Sequence, residues 1–197
     1  MMTPAGDAFR PAALRLLGQL GSSGAQAGST ENLVKEVLRT VCSACEWRAG
    51  EFWRYDAGLD QLVAQGGWGA DLPARRFLEQ SVSYGFPKGV GVVGRAWLEG
   101  DVVIVAGLAD DPSFLRRREA FGAGLGSMVA VPVPGIEGVE GVLGFFGGVP
   151  RSADAERQER LLLPGRVELA TVASAFLSGA LVGRHEPSAA GEVGSRG

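Results

Sequence analysis

The chain has 197 residues, 46% hydrophobic and 21% charged, with a formal net charge of −3. That is the core of one domain plus a short extension, without the bulk positive charge that draws nucleic acid or an anionic membrane surface. Two cysteines, Cys42 and Cys45, and one histidine, His185, exclude a disulfide framework and leave too few ligands for a His/Cys metal site or a histidine-based triad. No catalytic or metal-binding residue is therefore assigned, and the expected role is not enzymatic.

Residues 1–28 are interrupted by Pro4, Asp7, Arg10 and Pro11, which excludes a secretory signal. They read as a flexible leader with one short helix over 12–20. Their poverty in acid allows an organellar transit peptide; otherwise the expected location is cytoplasmic. The Gly/Ser/Ala stretch 22–29 reads as a linker, and the domain is assigned to 29–183. Ser29 or Thr30 caps a helix to about Glu46, with Leu33, Val34, Val37, Leu38, Val41, Cys42 and Cys45 on one stripe. The period then shortens, predicting strands at 52–55 and 61–68 joined by a turn at 56–60.

A short helix crosses the sheet over 71–84, and a Gly-dense turn at 86–95 leads into a one- or two-turn helix over 93–98. Val102-Val-Ile-Val105 is by composition a buried strand. Ser113 caps a second short helix that ends near 123–124. Residues 128–133 and 139–147, around a turn at 134–138, give the clearest hairpin, with Pro132 placed at an edge or a bulge. Ser152 or Asp154 caps a final helix, interrupted or kinked at Pro164, whose Val172, Phe176, Ala180 and Leu181 make it apolar on more than one face. Its uncharged run 169–183 spans about 22 Å as a helix, short of the roughly 30 Å hydrocarbon core, so no membrane span is expected. Residues 184–197 read as a disordered tail. The expected class is α+β, an antiparallel sheet of five to six strands with helices packed on it.

Four stretches resemble a GAF domain over roughly residues 30–182. Gly89-Val-Gly-Val-Val-Gly-Arg-Ala-Trp97 followed by Gly100-Asp-Val-Val-Ile-Val105 is similar to that family's Gly-x-Gly-x-x-Gly-Arg-x-Trp segment and central strand. Asp111-Pro-Ser-Phe114 with residues 120–127 resembles its Asp-x-x-Phe, helix, Gly-Leu-x-Ser segment. Pro132-Val133 and Gly141-Val-Leu-Gly-Phe-Phe146 resemble its last two strands. By letters alone Gly89, Gly91 and Gly94 also match a dinucleotide fingerprint. That motif must follow a hydrophobic strand and open a full helix, and here Gly100 ends the helix within a few residues.

The resemblance implies a ligand-sensing or dimerising module with a cavity between the sheet and its loops, and it leaves the cofactor unknown. Covalent bilin attachment is set aside, because no Cys or His occurs between Trp47 and Val182. The Asn-Lys and Phe-x-x-x-Asp-Glu pattern of cyclic-nucleotide GAF domains is missing, the sole Asn being Asn32. The family's free methionine sulfoxide reductases use cysteines around the cavity. Cys42 and Cys45 stand near a helix C-terminus on its apolar side, where the dipole opposes a thiolate, and read as structural.

If the fold holds, the cavity is lined by Phe114, Arg117, Arg118, Phe121, Leu125 and Ser127, with Trp53, Trp68 and Phe146 from the strands. Aromatic walls with a few polar groups suit a small molecule. Three consecutive guanidinium groups at Arg116, Arg117 and Arg118 cannot all face one way; one can enter the cavity to meet a carboxylate or phosphate, and Arg118 is the one assigned. Two functions follow. In one, an unidentified small-molecule ligand alters the packing of the first and last helices, through which the protein dimerises or meets a partner protein. In the other the cavity is closed and the domain is a ligand-free scaffold.

Overall fold

The computed structural model describes residues 5–183, with side chains from Pro11 onward; the tail assigned to 184–197, with His185, lies outside the described residues. The strands are β1 (Ala49–Asp56), β2 (Gln61–Gly69), β3 (Gly85–Phe86), β4 (Val103–Val105), β5 (Leu125–Gly135) and β6 (Gly138–Gly148). All pairings are antiparallel, in the order β3-β2-β1-β6-β5-β4. The helices are α1 (Ala5–Gln26), α2 (Thr30–Cys45), α3 (Leu72–Ser81), α4 (Gly91–Glu99), α5 (Arg117–Gly122) and α6 (Ala153–Val182). This is the expected α+β class, with six strands.

Strand alternation divides the molecule into two cores. Phe52 of β1 and Leu143 and Phe145 of β6 face one side, where Leu38, Val41 and Cys42 of α2 and Leu169, Ala173 and Leu177 of α6 cover them. Trp53 of β1 and Val142 and Phe146 of β6 face the other side, with Phe77 of α3, Val92, Val93 and Ala96 of α4, and Phe114. Local signals start the helices as the sequence suggests. The Ser29 side chain accepts from the Asn32 amide, Asp71 from Ala74 and Ser152 from Ala155. α2 ends on Glu46 in the left-handed conformation, its amide bonded to the Cys42 carbonyl.

Several elements differ from the expectation, each for a tertiary reason. The leader is not a short helix in a loose segment. α1 is helical from Ala5 through Gln26, across most of the stretch read as a linker, because Leu16 and Leu20 bury one turn apart in the first core. Gly24 permits the approach, since a Cβ there would stand 3.0 Å from Cζ of Phe176. The second apolar face of α6, expected to meet another chain, is thus met in part by α1. β4 is a three-residue edge strand with Ile104 half exposed, not a buried central one. Pro132 pairs with Val142 beyond the end of β4, where no neighbouring strand requires its missing amide, and its carbonyl accepts from the Ser174 hydroxyl at 2.6 Å. α6 continues through Pro164. α6 is the one described helix long and apolar enough to cross a membrane, and its Leu169, Ala170, Ala173, Leu177 and Leu181 pack into the first core.

Gly91 has φ +69°, and a Cβ on Gly94 would collide with the Pro87 carbonyl oxygen. These glycines shape the tight entry to the nine-residue α4 after a two-residue antiparallel strand. That is not the βαβ unit a dinucleotide fingerprint requires.

Candidate functional site

The second core contains an ion pair. Glu51 on β1 points to the same side as Trp53, two residues on, next to the register shift between Phe52 and Trp53. Gly144 on the neighbouring strand leaves the space its carboxylate occupies, since a Cβ there would stand 3.0 Å from both Cγ and Oε1 of Glu51. Arg116 immediately precedes α5, and one turn later Ala120 is buried on the same side. Its guanidinium donates to Oε1 and Oε2 of Glu51 at 2.6 and 2.7 Å and to Oγ of Ser81 at 2.6 Å. Ser81, at the end of α3, donates in turn to the Phe77 carbonyl.

Both ionic residues are out of solvent, Glu51 2% and Arg116 1% exposed. Five rings surround the guanidinium carbon: Phe77 at 4.8 Å, Trp53 at 5.2 Å, Phe86 at 5.5 Å, Phe114 at 5.6 Å and Phe146 at 5.7 Å. The rings brace one another edge-on, Trp53 against Phe86 and Phe77 against Phe146. Two donors on residues of this box, Nε1 of Trp53 and Nε of Arg116, are buried without a hydrogen-bond partner. A bidentate carboxylate and a ring of π faces offset the cost of desolvating one cation here, which an apolar core would not incur.

Three of the box residues border a surface groove. A groove of about 690 Å³ between β2 and α3 has Glu51, Trp53 and Ser81 on its floor and Lys35, Leu78 and Val82 on its rim. Its β2 wall runs Gly66-Gly67-Trp68-Gly69. Glycine is needed where α3 crosses closely, since a Cβ on Gly69 would stand 2.8 Å from the Arg75 amide nitrogen. A second cleft, of about 900 Å³, lies between α4 and the β5–β6 turn. It holds the Arg54–Glu140 pair and Lys88 over Trp97, and none of the candidate ligand-binding residues lines it.

Of the candidate residues, Trp53, Phe114 and Phe146 converge on the box, and Leu125 packs in the same core. Trp68 lies in the wall of the groove and packs toward α2 on the other face of the sheet. Ser127 pairs with Gly147 on the hairpin ladder, outside the box. Three assignments are corrected: Phe121 is 79% exposed and Arg117 is also exposed, so neither lines the box, and Arg118 lines a separate surface cleft of about 480 Å³ with Arg76, Gln80 and Phe77. The inward guanidinium is Arg116: α5 starts at Arg117, three residues later than a Ser113 cap predicts, and the Arg116–Ala120 face meets the core. Glu51, Ser81, Phe77 and Phe86 were missed. The available signal was weak: Glu51 stands one residue before the strand expected at 52–55, between Gly50 and Phe52, and an acid carried into that strand demands a partner.

Cys42 and Cys45 are buried in the other core. Burial pushes both thiols up, Cys45 to about 12, against a smaller opposing pull from Arg166.

The family model for the GAF domain matches residues 27–163. The chain belongs to the GAF family. Solved structures agree on the fold. The GAF domain of a phosphoenolpyruvate-protein phosphotransferase from Coxiella burnetii is 16% identical with a TM-score of 0.67, covering 87% of this chain and 93% of that one. Its Acinetobacter counterpart is 18% identical with a TM-score of 0.61, covering 94% and 97%. A free methionine-R-sulfoxide reductase from Neisseria meningitidis, solved in complex with its substrate, is 20% identical with a TM-score of 0.60, covering 93% and 96%. No curated protein sequence matches significantly. Within this GAF domain the Arg116–Glu51 box lies on the face of the sheet covered by α3, α4 and α5, and α1, α2 and α6 take the opposite face.

Proposed function

We propose that this GAF domain is a non-enzymatic sensory module that binds a small molecule at the Arg116–Glu51 box through the β2–α3 groove and signals through its terminal helices. The observation that carries the reading is a fully buried ion pair, with two unpartnered donors, at the floor of a groove open to solvent. Buried ion pairs are seldom an efficient source of stability, and polar groups converging in an aromatic pocket are the usual makings of a binding site.

The route to the helices is short. Glu51 lies between Gly50 and Phe52, both of which face the opposite core. A Cβ on Gly50 would stand 2.8 Å from Sγ of Cys42 in α2, so β1 has no slack there. A ligand that moves Glu51 shifts α2, and with it α1 and α6, which pack on α2. The last-helix face Val172, Phe176, Ala180 and Leu181, expected to meet another chain, is packed against the first core, and the exposed Leu14, Leu17, Leu161 and Leu162 of the terminal helices are the apolar residues left to meet a second copy or a partner protein.

The second reading is the closed scaffold, favoured by the five rings and Arg116 that already fill the box. A thermal-shift screen with nucleotides, amino acids, organic acids and amines separates the two. A ligand at a hundredfold excess over its Kd stabilises by about 2.7 kcal/mol, roughly 5–11 °C for a chain of this length. No shift with any compound leaves the scaffold.

A further inference from the structure

We propose that the aromatic box is a receptor for a small organic cation of the guanidinium or alkylammonium class, and that the Arg116 side chain is a tethered occupant which such a cation displaces. The inference rests on the sensory reading above and names its ligand class.

The box is built for positive charge. Five ring faces at 4.8–5.7 Å direct the negative side of their quadrupoles at one point, and Glu51 presents both carboxylate oxygens there. An anion competing for Arg116 would have to sit among those ring faces and turn Glu51 out unpaired. A cation competing for Glu51 exchanges one positive charge for another and leaves the core neutral. Trp53 Nε1, buried without a partner, adds a donor for a cation that carries a hydroxyl or carbonyl oxygen.

Arg116 is placed so that it can leave. It belongs to the run of turns between β4 and α5 and precedes the helix, and its neighbours Leu115 and Arg117 are already exposed. The groove borders Glu51, Trp53 and Ser81 on a side of the box that Arg116 does not line, and is the entry assigned to the cation. A side chain held on its own backbone competes at an effective concentration of the order of millimolar or above, so a free cation binds the intact protein weakly and a protein lacking the tether much more tightly.

Arg116→Gly removes the occupant. The probes are methylguanidinium, tetramethylammonium and choline, with methylurea as the neutral shape control and acetate as the anion, all at constant ionic strength. Methylguanidinium is expected to raise the melting temperature of Arg116→Gly, to bind it at least tenfold more tightly than the unaltered protein, and to lose both effects in Arg116→Gly/Glu51→Gln; methylurea and acetate do neither. The unaltered protein responds to the same cations at higher concentration, with a change in Trp53 fluorescence. If Arg116→Gly does not fold alone, recovery of its circular dichroism on refolding with methylguanidinium and not with methylurea supports the proposal, and recovery with neither overturns it. A folded Arg116→Gly indifferent to cations overturns it too. So does an unaltered protein indifferent at a hundred times the variant's Kd, which makes Arg116–Glu51 a permanent structural pair. In that last case a neutral or anionic compound that stabilises the unaltered protein keeps the sensory reading, and the absence of any stabilising compound removes that reading as well.

Discussion

Removing the Glu51 carboxylate strands a buried charge. In Glu51→Ala, Arg116 loses both charge-assisted hydrogen bonds and keeps only Ser81 and the surrounding rings, at a position where it is 1% exposed. Breaking a buried pair from one side costs about 3–5 kcal/mol, a large part of the 5–15 kcal/mol by which a domain is typically stable. The melting temperature should fall by roughly 6–20 °C. Glu51→Leu combined with Arg116→Met removes both charges and fills the space, and should recover most of the loss, because the desolvation cost disappears together with the pair. Glu156→Ala is the control: it breaks the Arg160–Glu156 pair on α6, of similar length at 2.8 Å but with both side chains more than half exposed, and should cost less than about 0.5 kcal/mol. Urea denaturation followed by tryptophan fluorescence gives all four values. A Glu51→Ala cost as small as the Glu156→Ala cost, or a double variant no better than the single, refutes the reasoning.

Leu20→Ala should destabilise by about 2–4 kcal/mol and Leu14→Ala by less than about 0.5, since Leu20 is buried against α2 and α6 and Leu14 is 71% exposed; equal effects in chemical denaturation mean that α1 is not docked. The raised Cys42 and Cys45 thiols hold their protons longer in the folded state than in the unfolded chain. Their contribution is therefore whole below the unfolded value near 8.5 and is lost as pH climbs toward about 12. Stability should decline above about pH 9 more steeply in the natural protein than in Cys42→Ala/Cys45→Ala, and alkylation of the native protein near neutral pH should be slow; rapid labelling contradicts it. Asp71 is held below the usual carboxylate range, first by the Ala74 amide and then by Arg48. Asp71→Ala should cost about 1 kcal/mol at neutral pH, and the difference from the natural protein should shrink as the solution is acidified through the carboxylate range, which a pH series of melting curves reads directly.

The elements that the sequence made legible are those whose partners are close in the chain. The stripe Leu33 to Cys45 with a cap at Ser29 or Thr30 places α2 to within about a residue at each end. The apolar runs 128–133 and 139–147 locate the hairpin but not its register: the strands run to Gly135 and from Gly138 around a two-residue turn, where the sequence suggests a five-residue one. α1 was misjudged for the opposite reason: glycines at 18, 21 and 24 weaken a helix in isolation, and only Phe176, about 150 residues away, makes Gly24 useful as a point of close approach. The site divides the same way. Trp53, Phe114 and Phe146 are aromatics at alternating or turn positions and were picked out. Which of three successive arginines faces inward depends on where a six-residue helix begins, and Glu51 and Ser81 are bound to Arg116 across 65 and 35 residues, so neither pairing leaves a mark in the local pattern.

The central claim is that a small molecule occupies the box beneath Trp53, and the indole N–H resonances test it most directly. Trp53 lies in the box, whereas Trp47 stacks on Phe145 in the opposite core and serves as the internal reference. With the compound that most raises the melting temperature, titration should shift or exchange-broaden the Trp53 indole resonance saturably while Trp47 moves little. A stabilising compound that leaves Trp53 unmoved, or perturbs only tryptophans outside the box, contradicts the account.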